Sequence, residues 1–269
     1  MARVERVSST LWWLQSFYAM AYRQVLRFLK MRSRVVNSIL FPIVWLVFFG
    51  IGWASAFNRL GPMVRLIFGG LNYLEFLAPG IVVMTAFIAG FGSGLGVLFD
   101  REFGYLKEIL VAPASRTAVI LGRMTGDTIA AGVQAAMMLL ILVIFLGYYN
   151  VVGVLGCLIV SLAAAFTATA MGTLIALMMS SPEGFHLIVN LLTLPLLFLS
   201  GAFYPITTLP EWMKILALVD PLTYPIELAR YAMYGYIEVS ISVATIGLLV
   251  SLLVFTIIVV LKYSKTYVA

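Results

Sequence analysis

Six charged residues fall within DREFGYLKEILVAPASR, Asp100 to Arg116, in a 269-residue chain that holds only 17 Lys or Arg and 11 Asp or Glu. Grouped carboxylates and cations can exchange protons, hold a metal or dock a partner. The rest of the sequence narrows the choice. One histidine, His186, and one cysteine, Cys157, cannot by themselves build a zinc site or a Ser/His/Asp-type nucleophile. Cys157 lies inside an apolar run, has no partner for an intrachain disulfide and reads as a packed thiol. His186 reads as a polar residue near a helix start. No G-x-x-x-x-G-K-[ST] loop is present, because none of Lys30, Lys107, Lys214, Lys262 and Lys265 follows a glycine. Gly90, Gly92, Gly94 and Gly96 in FIAGFGSGLG lack the preceding strand of a nucleotide loop; Gly92 and Gly96 read instead as a small-xxx-small packing face. No catalytic, cofactor-binding or metal-binding residues are therefore expected, and the charges read as solvated or docking groups.

The elements that position these residues follow from composition. With 63% hydrophobic residues, 10% charged residues and a mean hydropathy of +1.08, the chain is far more apolar than a soluble domain. It reads as an all-α integral membrane protein with a single membrane domain and no removable signal peptide. Stretches of about 20 residues with few charges are long enough to cross the hydrocarbon core. Six occur: Val35 to Phe57, Phe76 to Phe99, Thr125 to Gly147, Val151 to Met179, Phe185 to Phe203, and Val239 to Leu261. An even number puts both termini on one side. Thirteen Lys or Arg lie in residues 1–34, 100–124 and 262–269, whereas only Arg59, Arg65, Lys214 and Arg230 lie opposite. The positive-inside rule then places both termini and the Asp100–Arg116 stretch in the cytoplasm.

Outside the spans, Arg23, Arg27, Lys30 and Arg34 form one stripe of a helix in the N-terminal region 1–34. Leu14, Tyr18, Ala21, Val25, Phe28 and Leu29 occupy the opposite face. Such an amphipathic helix is expected to lie in the cytoplasmic interface, as a topology anchor or as a contact for headgroups or a partner. The proline-rich segment between the fifth and sixth spans predicts two short half-helices on the outer side. The first starts at Thr208-Leu209-Pro210-Glu211, which has capping-box spacing, and the second covers about Thr223 to Tyr236. Ser180-Ser181-Pro182-Glu183 repeats the capping pattern at a tight joint between the fourth and fifth spans. In the charged stretch itself, Phe103, Leu106, Ile109 and Leu110 share one helical face and Arg101, Tyr105 and Glu108 the other. Lys107 lies at the boundary and Pro113 stops the helix.

The spans hold almost no ionisable groups. Asp127, near the expected start of the third span, suits a helix N-terminus, and the deeper polar residues Asn37, Gln134 and Asn190 are neutral. Proton or sodium coupling has no obvious seat. Energy for any uphill transport should enter from a separate ATPase subunit on the cytoplasmic side.

The pattern Arg101, Glu102, Gly104, Leu106, Glu108, Leu110, Pro113, Ser115 and Arg116, followed by LGR, resembles the signature segment of type-2 ABC exporter permeases. FLAPGIVVMTA and SGAFYPITTLPEWMKILALVDPLTYPIELAR resemble the same family, most closely its daunorubicin-resistance-type members. The family often has Thr where Tyr105 and Ala112 stand, and Asn where Asp220 stands. The resemblance implies a half-transporter in the plasma membrane that pairs with a second copy, as a homodimer or heterodimer. It also implies a cytoplasmic ABC ATPase carrying ATP and magnesium. The coupling helix would comprise Arg101, Glu102, Phe103, Gly104, Leu106, Lys107, Glu108 and Pro113, with Arg116 beyond it. Arg23, Arg27, Lys30 and Arg34 would form a second contact, and Pro182 and Glu183 a minor one. The expected cargo is an amphipathic or lipid-like compound exported from the cytoplasm. A lipid-linked glycan exporter, a membrane-embedded lipid-modifying enzyme and a scaffold without flux are the alternatives. Membrane lipids are expected partners; nucleic acid is not.

Overall fold

The computed structural model describes residues 9–31, 40, 43–44, 46–58, 63–105 and 114–266. Helices and their connecting turns account for these residues, without a strand among them. α1 (Ser9–Lys30) is followed by π-helical turns at Leu46–Trp53 and by the short α2 (Ala54–Asn58) and α3 (Met63–Ile67). Next come α4 (Tyr73–Gly92), α5 (Leu95–Glu102), α6 (Arg116–Leu146), α7 (Val151–Ala176) and α8 (Pro182–Leu199). A 3-10 turn at Ile206–Thr208 leads to α9 (Glu211–Val219), α10 (Thr223–Tyr234) and α11 (Ile241–Thr266).

Five stretches among the described residues are long and apolar enough to cross a membrane: Tyr73–Glu102, Arg116–Leu146, Val151–Ala176, Pro182–Leu199 and Ile241–Lys265. They correspond to the second through sixth expected spans. The first, Val35 to Phe57, is described only in part, through Leu46–Trp53 and α2. Two boundaries differ from expectation. The third helix begins at Arg116 rather than Thr125, because Arg116 and Arg123 find partners inside the protein and need no aqueous loop. The second is broken at Ser93–Gly94, where the Ser93 hydroxyl donates to the Gly90 carbonyl at 2.6 Å.

The α4–α5 stretch is the centre of the bundle. In its most apolar window 72% of residues are buried, against 17% in α8 and in α11. It packs most extensively on α7, and the reason is local. A Cβ at Gly94 would lie 2.2 Å from the Gly172 carbonyl oxygen, and one at Gly172 would lie 2.0 Å from that of Phe91. Small residues let the two backbones touch, which in a membrane replaces the missing hydrophobic drive between helices. The expected face was Gly92 and Gly96, and this is corrected: Gly92 has open space around it, and Gly96 makes room for the Arg123 guanidinium. The contact belongs to Gly90 and Gly94, four residues apart on the side of the helix away from Gly92.

α1 runs alongside the first half of α6. The Trp13 indole N–H donates to the Thr117 hydroxyl at 3.2 Å, and the Phe17 and Ala21 carbonyls press on Gly122 and Gly126. Ala21 and Phe28, expected to face acyl chains, are buried against protein instead, while Leu14, Tyr18 and Leu29 remain exposed. The apolar face is thus divided between protein and surroundings.

Both short helices between the fifth and sixth spans are present as α9 and α10. The first cap is not as expected. Thr208 spends its hydroxyl on the Pro205 carbonyl at 2.7 Å, closing the 3-10 turn, and Pro210 precedes α9 without a side-chain cap. At α8 the cap is Ser181, one residue later than the Ser180–Glu183 spacing implied; its hydroxyl accepts the Gly184 N–H at 3.2 Å.

Gly172→Val should therefore lower the thermal unfolding midpoint of the detergent-purified chain, at a cost of about 1–3 kcal/mol or more for overpacking. Gly92→Ala, in open space, should leave it nearly unchanged.

Candidate functional site at the helix ends

Asp100 lies near the end of α5 with its side chain 3% exposed. Three guanidiniums from two other helices converge on it. Arg23 of α1 grips both carboxylate oxygens, at 3.0 and 3.3 Å; Arg27, one turn on, stands at 3.6 Å; Arg123 of α6 donates to Oδ2. Arg123 Nε is also 3.7 Å from Asp127. Taking such charges out of water costs several kcal/mol per ion and holds only where partners are complete. Asp100 thus fixes the α1–α6 pair to the end of α5. Asp127 lies well inside α6, paired with Arg123, and not at a helix N-terminus, because that helix starts earlier than expected.

The neighbouring residues split into clamps and exposed groups. Arg101 donates to the Met179 carbonyl at 2.8 Å, tying α5 to the joint before α8, and Arg116 donates to the Ser264 carbonyl at 3.3 Å, tying the start of α6 to α11. The expected helix from Arg101 onward begins differently. Arg101 and Glu102 are the last residues of α5, and Gly104 has φ +77°, a left-handed value that breaks the helix and suits glycine. Lys30, Glu102, Phe103, Tyr105 and Glu183 are exposed, the Arg23 guanidinium lying 5.7 Å over the Tyr105 ring. Pro182 opens the first turn of α8, where its missing N–H costs nothing. Arg34, Leu106, Lys107, Glu108 and Pro113 lie outside the described residues.

A second ionic network was not anticipated. Arg230 was counted among loop cations, yet it is 0% exposed. It pairs with Glu227 at 2.6 Å, donates to the carbonyls of Gly201 at 2.8 Å and Phe76 at 3.2 Å, and stacks 3.6 Å from the Phe76 ring. Glu227 also accepts the Glu238 N–H at 2.6 Å, and Glu238 accepts the Thr207 N–H at 2.9 Å. One arginine thus joins α4, the turn after α8, α10 and the entry to α11. The available signal was the Glu227–Arg230 spacing on a helix whose other face is apolar. Nearby, in the turn between α9 and α10, Asp220 is buried; Oδ1 accepts the Leu222 N–H at 2.8 Å, and burial pushes its carboxyl up to about 8.

The family profile described as ABC-2 type transporter matches residues 15–234. The chain belongs to the ABC-2 type transporter family. The match runs from α1 to the end of α10, so both ionic clusters fall within the ABC-2 region apart from Glu238. A transport permease, ycf38, of Cyanophora paradoxa is 31% identical over 228 residues, covering 83% of this chain and 76% of its own. The inner membrane transport permease YadH of Escherichia coli (strain K12) is 25% identical over 248 residues, covering 91% and 92%. The daunorubicin resistance ABC transporter permease protein DrrB1 of Streptomyces coeruleorubidus is 24% identical over 236 residues, covering 87% and 78%.

Removing one member of a fully buried pair leaves an uncompensated charge. Glu227→Ala should cost about 3–5 kcal/mol, read as a large loss of folded chain in detergent. Asp220 gives a pH dependence. Its native carboxyl titrates near 8 and its unfolded one near the ordinary value, so the unfolded state ionises first as pH rises. Stability should fall from the ordinary carboxylate range up to about pH 8. Asp220→Asn, which keeps the acceptor for Leu222, should flatten that part of the pH profile of the unfolding midpoint.

Proposed function

We propose that this ABC-2 protein is the membrane-spanning half of an ATP-driven exporter that moves an amphipathic or lipid-like compound out of the cytoplasm. The observation that carries this reading is how the helix ends around the charged stretch are tied together. Asp100 binds α1 and α6, Arg101 binds the joint before α8, and Arg116 binds α11. The connection between α5 and α6 leaves this knot with Glu102, Phe103 and Tyr105 exposed. A force applied there reaches most of the bundle through short polar contacts, which suits a coupling element pushed by a docked ATPase. No Walker-type lysine occurs in these residues, so ATP and magnesium belong on the partner subunit.

Six spans complete the topology if the stretch around Leu46–Trp53 forms the first. The Lys/Arg distribution then puts both termini and the Asp100 end in the cytoplasm of a plasma-membrane protein. α8 is the natural surface for a second copy or for the cargo path. It is mostly uncovered, and His186 and Asn190, four residues apart, are exposed on it. Polar side chains at membrane depth usually face protein or a cavity rather than lipid. A drug-like or lipid-like cargo agrees with the apolar helices and with the name of the daunorubicin-resistance relative.

Co-expression with a candidate ATPase, purification of the complex and reconstitution in vesicles test the reading. ATP hydrolysis should require both chains and rise with transported compounds. Glu102→Ala and Gly104→Pro should lower that stimulation about tenfold or more or release the ATPase, and undiminished stimulation in both would sink the coupling role.

A further inference from the structure

We propose that the groove between α1 and the end of α5 binds the phosphate headgroup of an anionic phospholipid. The groove has a volume of about 550 Å³ and is lined by Arg23, Arg27, Asp100, Phe103 and Tyr105. Arg123 and Asp100 neutralise each other in its buried floor, at 5% and 3% exposure. The guanidiniums of Arg23 and Arg27 also reach Asp100 and keep 35% and 32% of their surface exposed. Lys30, one turn beyond Arg27, is exposed and forms no ion pair among the described residues. Even with the exposed Glu102 and the paired Asp127 counted, the cations are in excess. Planar guanidinium forks a turn apart match the oxygens of a phosphodiester.

The occupant must also satisfy the apolar surroundings. Tyr22 on α1 and Met31 just beyond it are exposed beside the cations, and Leu26 lines the same surface. An amphiphile with an anionic head covers both kinds of surface, with the phosphate on the arginines and the acyl chains along these side chains. A soluble acidic peptide would meet the charge and leave the apolar side chains in water. The α5–α6 connection starts at this groove, so headgroup occupancy would brace the segment that carries Glu102, Phe103 and Tyr105.

The test uses the full chain in nanodiscs of phosphatidylcholine alone or in an equal mixture with phosphatidylglycerol. Lipid carried through extraction is measured by native mass spectrometry, and the unfolding midpoint is recorded. Phosphatidylglycerol should be retained preferentially and should raise the midpoint. Arg27→Gln and Lys30→Gln should each weaken its retention about fivefold, the loss of one near-surface charge. If Arg27→Gln does not fold, Lys30→Gln alone decides, since that side chain makes no ion pair among the described residues. Equal retention of the two lipids, or unchanged retention by Lys30→Gln, overturns the proposal. So does an equal midpoint shift from inorganic phosphate in phosphatidylcholine discs, or full protection of the arginines by an ATPase subunit without anionic lipid. The site does not depend on which compound is exported, so its failure would leave the transport reading standing.

Discussion

The rest of the bundle is arranged around the contact of two backbones. Where Gly94 meets Gly172, and Phe91 meets Gly172 from the other side, there is no room for a single methyl group. Inside a bilayer, apolar side chains gain little by leaving lipid for protein, so close van der Waals approach must hold helices together. The α4–α7 pair supplies that approach and forms the centre against which α6, α10 and α11 are laid. The peripheral helices α8 and α11 are held by far less surface, and they are the ones free to meet something else.

Charge is confined to the two ends of this centre and is treated differently at each. At the Asp100 end, a buried carboxylate and a buried arginine form the floor, while the outer arginines remain partly in contact with their surroundings. Such a cluster ties helices together and still offers a surface. At the Arg230 end, each of the three guanidinium nitrogens donates to a carboxylate or a carbonyl, and Arg230 and Glu227 are fully buried. Buried ion pairs of this kind contribute little net stability against an apolar alternative, but they penalise any arrangement that leaves one partner alone. The first cluster keeps part of its charge at the surface, and the second suits fixing a single geometry.

Much of this was legible in the sequence. Long apolar runs located five helices, all but the start of the third within a few residues, and the prolines and capping residues placed α9 and α10 between the last two. The Asp100–Arg116 stretch stood out by its charge density alone, and Asp100, Arg101 and Arg116 tie helices together. What the sequence could not display were pairings between distant residues. Arg116 and Arg123 looked like loop charges because hydropathy counts a cation as solvated whether or not a carboxylate is waiting across the bundle. Arg230 was misread for the same reason. The Gly92–Gly96 pairing failed because Gly90 and Gly94 have the same spacing, and spacing alone does not say which helix face meets α7. Arg101 and Glu102 were assigned to a separate helix because Gly104 gives no sign of which side of it the break will fall.

Arg230 also imposes an order on biosynthesis. Its bond to the Phe76 carbonyl spans 154 residues, and its partner Glu238 is made later still. While the chain is being synthesised, the start of α4 and the turn after α8 must wait in the membrane without the cation that joins them, until the last helix is about to emerge. The central helix of the bundle is thus among the first to be made and among the last to be secured. A chain that stops short of α10 would carry most of the core and still lack its fastening.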